Sequence, residues 1–259
     1  MKHLIIGAGI VGTATGVWLQ ANKEEVIFCD ISKETLQKLK NRGFQVTASL
    51  QNKTIDIFWI CTAEWDTEQI LQQLAEAYDN PTIVIRSTMP PGSTEELIKK
   101  CHLSHVAHIP EFLRQKTAIA DEFDSDRVIL GTNDRETKRK ITQIFSSVTS
   151  PIIYCSPTES ELIKYASNCW LSTQISYWNE IKVLCDKLHI NPQLIANAAC
   201  LDKRISKYGT AMTGDPYAGF CFPKDMKALI KAFEDHDVKP VLLKAVEKRN
   251  EMVNKQKKH

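Results

Sequence analysis

HLIIGAGIVGTATGVWLQ, His3 to Gln20, decides the fold. A short apolar strand runs into GAGIVG, Gly7 to Gly12, and that glycine turn opens a helix that reaches Ala21. The next strand, EVIFCD, ends on Asp30, 18 residues after Gly12. Gly7 allows the tight turn, Gly9 lets backbone approach a pyrophosphate, and Gly12 lets the helix pack on the sheet. Asp30 is placed to accept hydrogen bonds from a ribose 2′-hydroxyl and to repel a 2′-phosphate. The expected cofactor is therefore NAD rather than NADP.

Working outward, apolar runs alternate with amphipathic stretches as far as Cys155. The order is a helix from Ser32, IDIFWICT, a helix from Asp66, TIVIRST, a helix near Thr94 capped by a Ser93–Glu96 box, and DRVILGT. This alternation predicts a parallel, doubly wound α/β sheet of the Rossmann type over residues 1–155. A smaller all-helical domain follows over residues 156–259. Ser156, Pro157 and Glu159 start a long helix, and Ile163, Trp170, Tyr177 and Leu184 recur every seven residues, with Ile181 and Leu188 alongside. Two readings stay open for this apolar face: a core helix, or a helix over 157–189 shared across a homodimer two-fold. Further helices are expected over Pro192–Cys200, Lys224–Glu234 and Pro240–Val253.

The chain has 259 residues, 33 basic and 31 acidic, and a formal net charge of +2. That balance calls for neither nucleic acid nor an anionic membrane. The basic end KQKKH reads as solvated. Eight cysteines lie scattered with no CxxC pair, and no leader or membrane-spanning run is evident, so reduced thiols in a cytoplasmic protein are expected. His102, His105 and His108 are read as structural or surface residues, and no metal is assigned, because a strand sends side chains three apart to opposite faces.

GFCFPKD, Gly219 to Asp225, places Cys221 before Pro223, which suits the first position of a helix. The helix dipole, with Lys224 or Lys164 near, is expected to favour its thiolate. In ELIKYASN, Lys164 and Asn168 stand four apart on one helical face and could together hold an oxyanion. Thr88 ends TIVIRST and Glu111 lies in HIPEFLRQ, each just past a predicted strand, on the side where ligands of open parallel sheets bind.

Taken in order, GAGIVG with Asp30, STMPPGST (87–94), PEFLRQ (110–115), DSDRVILG (124–131), ELIKYASN (161–168), DKRISKY (202–208) and GFCFPKD resemble the UDP-glucose/GDP-mannose dehydrogenase family over nearly the whole chain. The resemblance implies oxidation of a sugar primary alcohol to a carboxylate with two NAD and one water, through a thiohemiacetal and thioester on Cys221. It implies catalytic roles for Lys164, Asn168, Thr88, Glu111 and Asp225. It places the cofactor on Gly7, Gly9, Ile10, Val11, Gly12, Asp30, Thr62, Thr88 and Gln115. The small-molecule substrate falls on Glu111, Lys164, Asn168, Arg204, Tyr208, Tyr217 and Gly219, with Arg204 reaching across a dimer interface. Only 38 residues follow Cys221 in the chain of 259, so the family's second doubly wound domain is expected to be missing. Gln115 stands where the family has a second glutamate, Tyr217-Ala218-Gly219 replaces Phe-Gly-Gly, and CTAEW lacks the proline-rich strand end. Two competing readings are a β-hydroxyacid-type dehydrogenase making one hydride transfer, and an inactive NAD-binding scaffold.

Overall fold

The computed structural model describes residues 1–51 and 54–257, so Lys258 and His259 of the basic end lie outside the described residues. Two compact units part between Lys164 and Tyr165. The division falls inside the long helix rather than at Cys155, because the first turns of that helix pack within the first unit, where Ser160 and Glu161 are fully buried.

The first unit is built on an eight-stranded sheet. Its strands are β1 (Lys2–Ile6), β2 (Glu25–Cys29), β3 (Gln45–Thr47), β4 (Ile57–Ile60), β5 (Ile83–Ile85), β6 (Val106–His108), β7 (Val128–Gly131) and β8 (Ile152–Cys155), in the order 3-2-1-4-5-6-7-8. The helices between them are α1 (Ile10–Ala21), α2 (Lys33–Asn41), α3 (Glu64–Ala77), α4 (Ser93–Lys100), α5 (Ala118–Phe123) and α6 (Arg135–Ile144). Ile5, Phe28, Trp59 and Val84 belong to one apolar cluster, and Leu4, Ile6, Phe58, Ile60 and Ile85 to the other. Both faces are thus covered, which is why these strands read as unbroken apolar runs instead of alternating ones.

The sheet is not wholly parallel, as the sequence pattern had suggested. β6 and β7 pair antiparallel through His108 and Gly131, and β8 then runs parallel to β7. The connection between them carries only the six-residue helix α5, and β7 enters the sheet beside the end of β6. β3 and β8, the partly exposed edge strands of the sheet, were not predicted.

Helix α7 (Pro157–Leu188, 32 residues) begins in the first unit and continues into the second. Its start follows the expected capping box, with Ser156 N donating to Glu159 Oε2 at 2.7 Å and Glu159 N donating to Ser156 Oγ at 3.2 Å. The second unit adds α8 (Pro192–Ala199), α9 (Cys221–Asp235) and α10 (Val241–Lys257). Tyr165, Cys169, Ile175, Tyr217, Met226 and Leu229 form its core. Trp170, Tyr177, Leu184 and Leu188 are not in that core; each is between 57% and 59% exposed. Among the described residues no helix is long and apolar enough to cross a membrane.

Candidate active site

Strand register puts the predicted cofactor residues in one row. Ile6 pairs with Cys29 on one side and Ile60 on the other, and Ile60 pairs with Ile85, which pairs with His108. Asp30, Gly7, Thr62, Thr88 and Glu111 accordingly follow the carboxyl ends of β2, β1, β4, β5 and β6. The turn from β1 to α1 fits a dinucleotide. Gly7 has φ +87°, and a Cβ there would lie 2.8 Å from Thr62 Cγ2; a Cβ on Gly12 would lie 1.9 Å from the Gly7 carbonyl oxygen. A Cβ on Gly9 would meet nothing within 4 Å, so its open side can admit a pyrophosphate. Gly9 is the N-cap of α1 and brings no side-chain cap, which leaves amides at that helix start for an anion. The Asp30 carboxylate braces the turn, accepting from Ala8 N and Ser32 N at 2.8 Å each. Ile10 is exposed and Val11 half-buried on the first turn of α1, and Gln115 is exposed in the segment after β6.

Beside this row, Lys164 Nζ donates to the Glu111 carbonyl at 2.6 Å and to Glu111 Oε1 at 3.0 Å, and lies 5.2 Å from the Phe112 ring. Glu111 Oε2 accepts from Leu113 N at 2.7 Å. Thr88 is half-buried, next to Ser87, whose hydroxyl donates to the Thr62 carbonyl at 2.8 Å. A lysine and a carboxylate, both largely shielded from water, are thus fixed at the end of β6.

The second unit holds the thiol. Cys221 is exposed at the first position of α9, two residues earlier than the Pro223 start expected from sequence, with Phe220 as N-cap. Asp225, four residues on and 1% exposed, accepts from Asn168 Nδ2 at 2.6 Å and pairs with Lys224 Nζ at 2.8 Å from Oδ1. Lys224 is thus engaged by Asp225. The other cysteines are buried or half-buried, and burial pushes Cys29 and Cys155 up to about 11 and Cys61 and Cys169 up to about 12. Gly219, with φ +80° and open space where a Cβ would sit, lets the chain turn into α9.

Some residues fall elsewhere than expected. Tyr217 is 2% exposed in the core of the second unit, where burial raises its phenol pKa, so its side chain is packing rather than substrate surface. Arg204, itself exposed, folds back on the half-buried Asp202, with Nη2 2.6 Å from Oδ2. Tyr208 is 38% exposed. The three histidines diverge: His105 Nδ1 is 2.7 Å from Asp134, while His108 is fully buried between Ser87 and Ser160. The proposed Ser93–Glu96 box is absent. Gly92, left-handed at φ 92°, is the N-cap of α4, and Glu161 caps it from α7, accepting from Gly92 N at 2.6 Å and Thr94 N at 2.8 Å. Neither Glu161 nor the buried Arg86–Glu122 pair (2.8 Å) was found from sequence, although a carboxylate three residues before Lys164 was a signal.

Residues 47–149 match the NAD binding domain, and residues 158–252 the central domain, of the UDP-glucose/GDP-mannose dehydrogenase family. Residues 3–87 also match ketopantoate reductase, which covers the glycine turn. A UDP-glucose 6-dehydrogenase of Bacillus subtilis is 31% identical over 96% of this chain and 66% of its own length. That of Streptococcus pneumoniae is 30% identical over 91% of this chain and 69% of its own. The solved UDP-glucose dehydrogenase of Pyrobaculum islandicum superposes with a TM-score of 0.87 at 25% identity, covering 97% of this chain and 68% of that one. The chain therefore spans about two thirds of the length of these relatives.

Proposed function

Because this chain belongs to the UDP-glucose/GDP-mannose dehydrogenase family, we propose that it oxidises the primary alcohol of a nucleotide sugar such as UDP-glucose to the carboxylate. Per sugar the balance is one alcohol, one water and two NAD to one carboxylate, two NADH and three protons. NAD, held on Gly7 to Gly12 and Asp30, supplies the hydride acceptor in both oxidations. The chain's own residues do the rest. Lys164 takes the alcohol proton and, with Asn168, holds the oxyanion that follows. Cys221 Sγ adds to the aldehyde carbon to give a thiohemiacetal, and oxidation of that adduct leaves a thioester. Thr88, Glu111 and Asp225 orient the water that hydrolyses the thioester, which returns the thiol and releases the acid.

The observation that carries this reading is the exposed Cys221 at the start of a 15-residue helix, where helix dipole and solvent access favour a reactive thiolate over the buried thiols elsewhere. The exposed stripe Trp170, Tyr177 and Leu184, at heptad spacing, with Leu188 one turn on, supports a homodimer through α7, since four large apolar side chains on one exposed face are a liability on a monomer. Arg204 then serves the partner's substrate.

Incubation with NAD and a panel of nucleotide sugars tests the proposal: two NADH per acid are expected, and Cys221→Ala should abolish acid formation. One NADH per turnover, unaffected by Cys221→Ala, would establish single-hydride chemistry instead. NAD binding without turnover of any sugar would mark a scaffold.

A further inference from the structure

We propose that Glu161 is a positioning residue for this chemistry: its carboxylate clamps α7 to the turn after Thr88 and thereby sets the register that holds the Lys164 ammonium on Glu111. The inference rests on the oxidation proposed above for its kinetic consequence, but the clamp itself stands on geometry alone. Glu161 is fully buried, one turn before Lys164. Its two oxygens accept from Gly92 N at 2.6 Å and Thr94 N at 2.8 Å, two of the donors a helix start leaves without a partner. No side chain of α4 itself does this, because its N-cap is a glycine.

The neighbouring residue repeats the arrangement. Ser160 Oγ lies 3.1 Å from the His108 carbonyl and 2.8 Å from His108 Nδ1, while His108 Nε2 lies 3.2 Å from the Ser87 carbonyl. A carbonyl can only accept, so Nε2 carries the ring proton, and the single Ser160 hydroxyl proton is shared between Nδ1 and the His108 carbonyl. Gly131 makes room, since a Cβ there would stand 2.4 Å from Ser160 Cβ. Ser160 and Glu161 therefore join the ends of β5 and β6, which carry Thr88 and Glu111, to the helix turn that carries Lys164. Both bonds are required: burying this carboxyl group costs more than burying an apolar residue of the same size, and the two amides offset that cost only while both bonds are made.

Glu161→Ala and the milder Glu161→Gln test this in the full chain. Amide exchange over residues 92–100 is expected to speed up about tenfold or more in Glu161→Ala, and less in Glu161→Gln, while β1, β4 and β5 stay protected. With a sugar that the wild-type protein oxidises, kcat should fall at least about tenfold at unchanged NAD affinity, with Glu161→Gln between the two. Should the wild-type protein oxidise no sugar, the function above fails and the exchange result still decides the clamp. Unaltered exchange overturns the proposal, as does a loss of kcat that merely follows the folded fraction at each temperature. If Glu161→Ala does not fold, Glu161→Gln carries both measurements.

Discussion

Replacing Lys164 by Met separates stability from chemistry in a way the geometry can scale. The ammonium sits between the Glu111 carbonyl at 2.6 Å and its carboxylate at 3.0 Å, and the two side chains are only 5% and 11% exposed. Removing one partner of a buried pair costs about 3–5 kcal/mol when the other charge is stranded. Here Glu111 keeps the Leu113 amide at 2.7 Å and some contact with water, so about 2–3 kcal/mol is expected. For a domain of this size that lowers Tm by about 4–12 °C. Urea titration of Lys164→Met, Glu111→Gln and the double variant closes the cycle. The double variant should recover most of the loss, because no carboxylate remains without its cation, while oxidation of any sugar stays abolished in every variant lacking Lys164. A Lys164→Met protein within about 0.5 kcal/mol of wild type, or single effects that simply add, would show that the pair is not formed.

Two other expectations concern the first unit. Gly12→Ala drives a methyl group against the Gly7 carbonyl and should cost at least about tenfold in NADH affinity together with a lower melting temperature, whereas Gly9→Ala, in open space, should weaken NADH binding at an unchanged melting temperature; fluorescence titration with NADH beside thermal melts distinguishes them, and a Gly12→Ala protein that binds as wild type refutes the packing argument. Burial lowers the His108 pKa from 6.5 to about 4, so the unfolded chain binds the proton first and stability present above pH 6.5 drains away as pH falls toward 4, by about 3 kcal/mol in all. Glu161, raised by burial from 4.5 to about 7, acts in the opposite sense: its neutral form is favoured in the fold, and stability present below pH 4.5 is lost as pH rises toward 7. His108→Gln should therefore leave stability falling as pH rises from 5 to 7 and Glu161→Gln should make it climb more steeply; identical slopes in all three proteins would refute both assignments.

The sequence was legible wherever local chemistry and tertiary structure ask for the same residue. GAGIVG with Asp30, the Ser156–Glu159 box and the Asn191–Pro192 start each satisfy a backbone need within a few residues, and each stands where it was expected. Cys221, Lys164, Thr88 and Glu111 were also locatable, because helix starts and strand ends are marked in the chain. What could not be read depended on partners far away in sequence. Ser93 and Glu96 form a plausible cap on paper, but the left-handed Gly92 turns the α4 amides toward Glu161, 69 residues on, and a buried carboxylate displaces the local option. Tyr217 has the composition of a ligand contact and the burial of a core residue, and only the packing of α7, α9 and α10 decides between them.

The same reasoning explains why the two hidden polar groups of the first unit share one helix turn. For the oxidation proposed above Lys164 on α7 has to face the end of β6, yet β6 and β7 meet there at a single antiparallel pair, His108 with Gly131, and ladder bonding fixes little. Side-chain hydrogen bonds must then set the register that backbone pairing does not. Ser160 on His108 and Glu161 on the α4 amides lie four and three residues before Lys164, close enough that a displaced helix breaks them before the ammonium has moved one turn. Polar burial at this margin is costly for stability and is retained where the position of a charge matters more than the depth of the core.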